Sequence, residues 1–264
     1  MIAVPRQQGG FAPGVGDDKV EMFNVAALWR YEAIVRLGLE GESMIAAASP
    51  GAVFPQMLDF VVRNVDAAPL GTVIDVGAGL AGTAETVRRA SGRSVLAFDA
   101  SRHACTGARM LFPDVQLAQA DPCRLPARDD SVAAAVSCGV LSTLADAEAM
   151  MSEVRRVIRE QGRFVVVDLA SASSRAVRAG DKVLSSVERI VGSLSDSGFE
   201  VVDQAIGLTS LSDWALADAD VARDVAVHRR GVAEFEYWLD DRRRFERMMS
   251  SNRVMMVGVA ARPC

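Results

Sequence analysis

Residues 73–82 read VIDVGAGLAG, and this stretch determines the fold class of the chain. Its first four residues form a short, mostly apolar run with the character of a strand, and glycines follow at positions 77, 79 and 82. Glycines at a turn from a strand into a helix let the backbone bend sharply, so that N–H groups at the start of the helix face a ligand. The stretch therefore predicts the first strand, turn and helix of an α/β domain that binds a nucleotide-like ligand.

The same pattern continues on the C-terminal side of this stretch. Apolar runs at 95–98, 115–117, 132–136 and 164–167 alternate with helical patterns. Strands that are almost continuously apolar suit a parallel sheet covered by helices on both faces, with right-handed crossovers. We therefore expect an α/β fold of the Rossmann-like kind. The helix before the last run is predicted to end at Gln161-Gly162, because glycine readily takes a left-handed conformation.

The remaining segments are assigned by composition and periodicity. Residues 1–19 are rich in glycine and proline and are interpreted as a flexible leader, and residues 20–48 as an N-terminal helical lid. Residues 49–264 are interpreted as the main domain, with a helical insertion at 208–252. Further predicted elements are a helix whose apolar stripe runs from Val183 to Leu194, and strands at 199–202 and 254–259.

The charge balance argues against a nucleic-acid substrate. The net charge is −5 and the pI is about 5.2, whereas phosphate-binding proteins usually present a basic face. The single basic run, Arg242–Arg244, directly follows Asp240-Asp241 on a helical pattern. We interpret these residues as a solvated helix face with local ion pairs.

Neither a membrane nor a metal is expected as a partner. No apolar run approaches the ~18 residues that cross a bilayer, and the N-terminus lacks the order of a secretory signal. The four cysteines and two histidines show no spacing typical of a zinc site. A cytoplasmic monomer or homodimer is the expectation.

The glycine turn fits two classes of ligand. Gly77, Gly79 and Gly82 satisfy GxGxxG, and Asp99 ends the next predicted strand, where its carboxylate can accept hydrogen bonds from both ribose hydroxyls. This pattern is typical of NAD sites. However, Asp75 lies inside the ligand-facing turn, where a carboxylate would repel a pyrophosphate. S-adenosylmethionine has no phosphate and carries a cationic ammonium and a cationic sulfonium, so Asp75 favours it.

Several ordered motifs then give the chain a family resemblance. VIDVGAGLAGTAETV, SVLAFDAS, QADPCRLPARDDSVAAAVSCGVLSTLAD and EVRRVIREQGRFVVVDL are similar, at family spacing, to the motifs of class I S-adenosylmethionine-dependent methyltransferases. The chain resembles their quinone-biosynthesis and natural-product branch, roughly from Ser49 to the C-terminus apart from 208–252. The resemblance implies a seven-stranded, mostly parallel sheet with an antiparallel last strand. It also implies S-adenosylmethionine as cofactor and a small organic acceptor.

The resemblance also implies the residues that bind the cofactor. Residues around the turn would hold the methionine part of the cofactor, and residues at the end of the second strand would hold the ribose. Residues after the third strand would hold the adenine, and residues after the fourth strand would line the region of the sulfonium. The residues are Asp75, Gly77, Ala78, Gly79, Asp99, Ala100, Asp121, Pro122, Cys123, Cys138 and Gly139.

Three positions depart from the family pattern. Ala81 replaces a glycine, which is tolerable if the backbone there is not left-handed. Ala133 replaces an aspartate, and Ser142-Thr143 replace a pair of histidines beside the methyl-transfer zone. The last change removes a base that the family often has at that place.

Candidates for acceptor binding therefore come mainly from the helical appendages. His228 is the candidate general base, because an imidazole titrates near neutral pH, although a surface histidine is the alternative interpretation. An acceptor pocket is predicted between the N-terminal helix and the late helices, and aromatic side chains there could equally be core. The candidate acceptor-binding residues are Trp29, Tyr31, Ser142, Tyr237 and Trp238.

The residues leave several functions open. The acceptor is expected to be aromatic or natural-product-like, and methylation at oxygen, nitrogen or carbon remains open. One alternative is a non-methylating enzyme of this fold, or a pseudo-enzyme that only binds S-adenosylmethionine, since a fold does not fix its chemistry. The other is an NAD-dependent oxidoreductase.

Overall fold

The computed structural model describes residues 17–50, 55–179, 182–207 and 213–264. The predicted leader lies outside the described residues except for its last three positions, which begin the first helix. The helices are α1 (Asp17–Arg36), α2 (Gly41–Ala47), α3 (Pro55–Asp66), α4 (Gly82–Ser91), α5 (Arg102–Leu111), α6 (Ala147–Val157), α7 (Val187–Asp196), α8 (Asp213–Arg229) and α9 (Ala233–Ser250). The strands are β1 (Val73–Val76), β2 (Val95–Asp99), β3 (Gln116–Gln119), β4 (Val132–Cys138), β5 (Ile158–Ser171), β6 (Val177–Ala179), β7 (Lys182–Leu184), β8 (Phe199–Gly207) and β9 (Val254–Pro263).

Seven of these strands form one sheet in the order β3-β2-β1-β4-β5-β9-β8. Strands β3, β2, β1, β4 and β5 pair in parallel, and β9 runs antiparallel between β5 and β8. The predicted Rossmann-like sheet with a reversed last strand is therefore confirmed. Its order reverses at β1, which pairs with both β2 and β4, and ligands of open α/β sheets bind at such a switch point.

Helices cover both faces of the sheet, which explains why its strands read as continuous apolar runs. Val73 and Val165 face one layer, where Phe60 of α3 packs. Ile74 and Phe164 face the other layer, with residues of α6 and α7 such as Met150 and Leu194. All are essentially inaccessible to solvent. Among the described residues, no helix is long and apolar enough to cross a membrane.

One predicted boundary is wrong by four residues. Helix α6 ends at Val157, and β5 already begins at Ile158 rather than after Gly162. Val157 and Ile158 are both fully buried, so their apolar character fits either a helix or a strand. Gly162 is not left-handed; a Cβ there would stand 2.6 Å from Cγ1 of Ile158 and 2.9 Å from the carbonyl oxygen of Ala133. Glycine is needed at this position for space.

A second predicted boundary is also wrong. Val183 and Leu184 belong to β7, which pairs with β6 in a small hairpin outside the main sheet. The helix α7 begins later, at Val187, because the hydroxyl of Ser186 accepts a hydrogen bond from the N–H of Arg189 and caps the helix. Apolar residues on a strand and on the following helix thus imitate one helical stripe.

The N-terminal helices lie over the carboxyl ends of the strands. Helix α1 packs against α5 and α8, and α2 packs against α4 and α8. Ion pairs join α1 to α8, with Arg30 2.7 Å from Asp218 and Arg36 2.5 Å from Asp224. These helices and α9 therefore enclose the ligand edge of the sheet.

Gly82 provides a test of how α2 is seated on the nucleotide turn. A Cβ at Gly82 would collide with the hydroxyl of Ser49 and lie 2.6 Å from the carbonyl oxygen of Ile45. Gly82→Ala should therefore lower the free energy of unfolding by about 1–3 kcal/mol through overpacking. Gly192→Ala in α7 is the matched control, because nothing lies within 4 Å of its Cβ position. It should stabilise by about 0.5–1 kcal/mol. Urea unfolding that gives both variants the same sign would contradict this packing.

Candidate functional site

The turn after β1 is held to the end of β2 by backbone hydrogen bonds. The N–H groups of Gly77 and Ala78 both donate to the carbonyl of Phe98, at 2.8 and 3.0 Å. Gly77 has a φ of 76°, and a Cβ on it would collide with Val140. Gly79 has a φ of 55°, and no described atom lies within 4 Å of its Cβ position. The turn therefore presents bare backbone toward open space.

Ala81 replaces the family glycine at a position where the backbone is left-handed, contrary to the condition under which an alanine would be tolerable there. Its φ of 65° and ψ of 21° are left-handed, and the residue is fully buried. A left-handed residue with a Cβ costs roughly 1–2 kcal/mol. Ala81 is the N-cap residue of α4, and its carbonyl accepts from the N–H of Glu85, so the structure maintains this strain directly before the helix that faces the ligand.

Asp75 is a buried carboxylate at the end of β1. Its side chain is 2 % exposed, and its Oδ2 has no hydrogen-bond partner among the described residues. The pKa of Asp75 is raised to about 7, first by burial and then by the nearby charge of Asp99, while a hydrogen bond from the backbone of Ala84 opposes the rise. Burying a carboxylate that is only partly hydrogen-bonded is unfavourable, so a cationic group is the ligand this position requires.

Asp99 is held in a fixed orientation at the end of β2. Its Oδ2 accepts from the N–H of Gly79 at 2.7 Å, and its Oδ1 accepts from the N–H of Ser101 at 2.7 Å. Burial raises the pKa of Asp99, and both backbone hydrogen bonds lower it. Each carboxylate oxygen has further lone pairs, so the fixed carboxylate can accept from two vicinal hydroxyls.

A single cavity of about 640 Å³ begins at this turn and continues under the appended helices. One end is lined by the β1 turn and the ends of β2 and β4. The other end is lined by α1, α8 and α9. The lining includes Asp75, Gly77, Ala78, Gly79, Asp99, Ala100, Ser101, Pro122, Cys138, Gly139, Val140, Trp29, Arg30, Val221, Val225, Tyr237, Trp238, Lys182 and Asp241.

Most of the residues predicted from the sequence are thus brought together around one space. All the predicted residues of the turn, of the end of β2 and of the end of β4 line it, as do Trp29, Tyr237 and Trp238. Trp29 is 5 % exposed and meets Phe235 edge to face, with 6.2 Å between ring centroids. Phe235 itself belongs to the core.

Four predicted residues do not line the cavity. Asp121 accepts from the N–H of Cys123 at 2.8 Å, which forms a local turn and leaves only Pro122 of this segment at the wall. The N–H of Ser142 donates to the buried Asp168 at 3.2 Å. Tyr31 packs against Gly107 of α5 instead of the cavity. It lies two positions from Trp29, and residues with that spacing point to different sides of a helix.

His228 does not reach the cavity either, which corrects its candidacy as general base. It lies in the last turn of α8 with its side chain 46 % exposed. Its Nδ1 lies 2.8 Å from the carbonyl oxygen of Asp224 and 3.4 Å from the carboxylate of the same residue. The imidazole therefore interacts with its own helix at the protein surface.

The charged residues of the cavity wall are the functional candidates that the sequence did not reveal. The acidic and basic residues at the middle of α9 are not a purely solvated face. Asp241 lines the cavity with Lys182, and Arg242 lies 2.8 Å from the buried Asp218 and over the ring of Trp238. The available signal was the spacing of Asp241 from Tyr237 (i,i+4) and from Trp238 (i,i+3), which makes it a neighbour of both on the helix surface.

The fold is Rossmann-like, and the carboxyl groups of Asp75 and Asp99 at its ligand edge suit a ligand that carries a cationic group and vicinal hydroxyls. Residues 74–166 match the family model described as a methyltransferase domain. The matched residues include the cofactor turn and the strands beside it, so this part of the chain is similar to methyltransferase domains, in agreement with the resemblance drawn from the sequence motifs.

Solved structures share this fold at low sequence identity. The [4+2]-cyclase SpnF is 19% identical with a TM-score of 0.65, and the match covers 79% of this chain and 80% of that one. A geranyl diphosphate methyltransferase in complex with S-adenosylmethionine is 14% identical with a TM-score of 0.58, covering 79% and 85%. Geranyl diphosphate C-methyltransferase from Streptomyces coelicolor A3(2) is 14% identical with a TM-score of 0.57, covering 79% of both chains. No curated protein sequence matches the chain.

The raised pKa of Asp75 predicts a pH-dependent stability of the cofactor-free protein. The folded protein binds a proton at Asp75 up to about pH 7, whereas the unfolded chain releases it near pH 4. The contribution of Asp75 to the free energy of unfolding therefore falls as the pH rises from 4 to 7. Asp75→Asn should be more stable than wild type at pH 8, by up to about 4 kcal/mol, and similar to it at pH 4.

The same substitution should weaken cofactor binding at least tenfold, because the amide has no charge for the ammonium. Denaturant unfolding at both pH values and calorimetry with S-adenosylhomocysteine measure the two effects. Asp59→Asn, on the exposed side of α3, is the control with the same change of charge. A variant that is destabilised at pH 8, or that binds the cofactor normally, would contradict the assignment of Asp75.

Proposed function

We propose that the protein transfers a methyl group from S-adenosylmethionine to a small, largely apolar organic acceptor of aromatic or natural-product type. The observation that carries this proposal is the continuity of one cavity. It connects the turn that bears Asp75 with a wall built from Trp29, Val221, Val225 and Trp238. Pockets of several hundred Å³ with apolar walls and few polar groups are typical of small-molecule sites.

The residues at the first end of the cavity fit the cofactor. Asp75 would pair with the ammonium, Asp99 would accept from the ribose hydroxyls, and the bare backbone of Gly79 would permit close approach. Cys138–Val140 would line the region between cofactor and acceptor. When bound, the cofactor supplies a methyl group on a cationic sulfur that leaves as a neutral thioether.

The role of the protein's own residues is to hold the acceptor in line with the methyl group and to exclude water. Fixing two reactants in an attack geometry can lower a barrier by about 7–11 kcal/mol. Helix α1 contributes Trp29 and Arg30 to the wall and is held on α8 by ion pairs, including one between Glu32 and Arg229. We propose that α1 and α2 act as the predicted lid, and that α8 and α9 form the acceptor side.

Cys138 is not a competing nucleophile in this scheme. Burial raises the pKa of its thiol well above the ordinary value, and the nearby Asp75 and Asp168 raise it further. The thiolate is the reactive form of cysteine, so this thiol remains neutral and unreactive at physiological pH. Cys138 therefore contributes a neutral wall beside the cofactor.

A labelling experiment tests the proposed function. The protein is incubated with methyl-labelled S-adenosylmethionine and a panel of phenols, hydroxylated polyketides and aromatic amines, and the organic extract is counted. Label in a small-molecule product supports the proposal. Binding of S-adenosylmethionine without labelled product across the panel would favour a non-methylating enzyme or a binding protein. A thermal shift with NAD instead of S-adenosylmethionine would favour the oxidoreductase.

Two variants make the experiment specific. Gly79→Val should abolish both cofactor binding and labelling, because a branched side chain at a positive φ is strained and would occupy the space the cofactor needs. His228→Ala should keep labelling within twofold of wild type, because the imidazole lies outside the cavity. A loss of activity in His228→Ala with normal cofactor affinity would restore this residue as the base.

A further inference from the structure

An ion pair in the wall of the cavity lies on elements other than those that form the cofactor turn. The ammonium of Lys182, on β7, is 3.0 Å from Oδ2 of Asp241 on α9. The two side chains are only 20 % and 19 % exposed, and the Lys182 ammonium also lies 4.8 Å above the ring of Phe245. Both residues line the cavity.

The second oxygen of the Asp241 carboxylate has no partner among the described residues. Oδ1 is buried and makes no hydrogen bond to any of the described residues, whereas Oδ2 is occupied by Lys182. A buried carboxylate oxygen without a donor is unfavourable, and such groups are normally satisfied by protein, water or ligand. The charges of Lys182 and Asp241 therefore balance, but Oδ1 of Asp241 can still accept a hydrogen bond.

The position of the pair relates it to the acceptor and not to the cofactor. The hairpin that carries Lys182 packs against β5 and the short turn Leu141–Thr143 after β4. Asp99 ends β2, on the other side of β1 in the sheet. On α9, Asp241 follows Tyr237 by one helical turn, and both line the cavity.

We propose that Asp241 determines acceptor specificity by accepting, at Oδ1, a hydrogen bond from a hydroxyl or amine group of an otherwise apolar acceptor. This inference rests on the proposed function, since it names the substrate class of the same cavity. Lys182 holds the other oxygen and neutralises the carboxylate, so the pair selects a hydrogen-bond donor and not a cation. For the same reason Lys182 is not available to bind an anionic acceptor.

The test compares three probes of one shape. 2-Naphthol carries a hydroxyl, 2-fluoronaphthalene carries no donor, and 2-naphthoate carries an anion. Each is titrated by fluorescence into protein saturated with S-adenosylhomocysteine. Wild type should bind 2-naphthol at least tenfold more tightly than 2-fluoronaphthalene, because the fluorine substituent cannot donate the hydrogen bond that the hydroxyl gives to a charged group.

Asp241→Asn should reduce this preference to less than threefold. The amide oxygen would turn toward the ammonium of Lys182, so that the NH₂ group, a donor, would take the place of Oδ1. Asp240→Asn is the matched control, because it makes the same change of charge at the adjacent, exposed residue. It should keep the tenfold preference. Unchanged affinity for S-adenosylhomocysteine shows that each variant is folded.

The results that overturn the proposal are distinct from those that overturn the methyltransferase assignment. Equal binding of 2-naphthol and 2-fluoronaphthalene by wild type, no binding of either, or an undiminished preference in Asp241→Asn would each refute the role of Asp241. Tightest binding of 2-naphthoate would show that Lys182 recognises an anion instead. The proposed function fails only if labelling yields no methylated product, which these binding measurements do not depend on.

Discussion

The hydrogen bonds between the turn after β1 and the end of β2 are the constraint on which the site depends. Gly77, Ala78 and Gly79 direct their N–H groups to Phe98 and Asp99, so the turn cannot relax without releasing the second strand. In this way the carboxyl groups of Asp75 and Asp99 are held close enough to interact electrostatically. Two buried carboxylates at close range oppose each other's ionisation. The free energy that this arrangement costs becomes available to a ligand with a positive charge.

The cavity combines two kinds of polar site in one apolar space. At the cofactor end, the carboxyl groups of Asp75 and Asp99 line the cavity, and burial raises the pKa of both. At the far end, Lys182 and Asp241 cancel each other. The first arrangement suits a cationic cofactor, and the second suits a neutral molecule. The walls between them are tryptophan, valine and alanine side chains, which contribute area but no hydrogen-bond direction. Orientation of an acceptor therefore has to come from the few polar atoms at the wall.

Local patterns allowed the fold and the cofactor end to be predicted from the sequence. Each of these features is recognised from a few consecutive residues, because strand, turn and helix follow one another along the chain. They are the run VIDVGAGLAG, the apolar strands and Asp99. Boundaries were less predictable where burial is continuous, as at Val157 and Ile158, since both helix and strand accept buried apolar residues. The hairpin before α7 was missed for a related reason: its Val183 and Leu184 continue the spacing of the next helix.

The acceptor end could not be predicted in the same way, because its residues meet only through tertiary packing. Lys182 and Asp241 are 59 positions apart, and nothing near either residue in the sequence indicates the other. Tyr31 and Trp29 are close in sequence yet belong to different sides of α1, and His228 has a suitable side chain in an unsuitable place. His228 was predicted to be functional from its chemical type alone. Burial instead indicates Asp241, because a buried oxygen without a donor gains more from a ligand than an exposed imidazole does. The same criterion selects Asp75 at the other end. Asp75 and Asp241 thus each contribute to this cavity a carboxylate oxygen that has no partner in the part of the chain the structure describes.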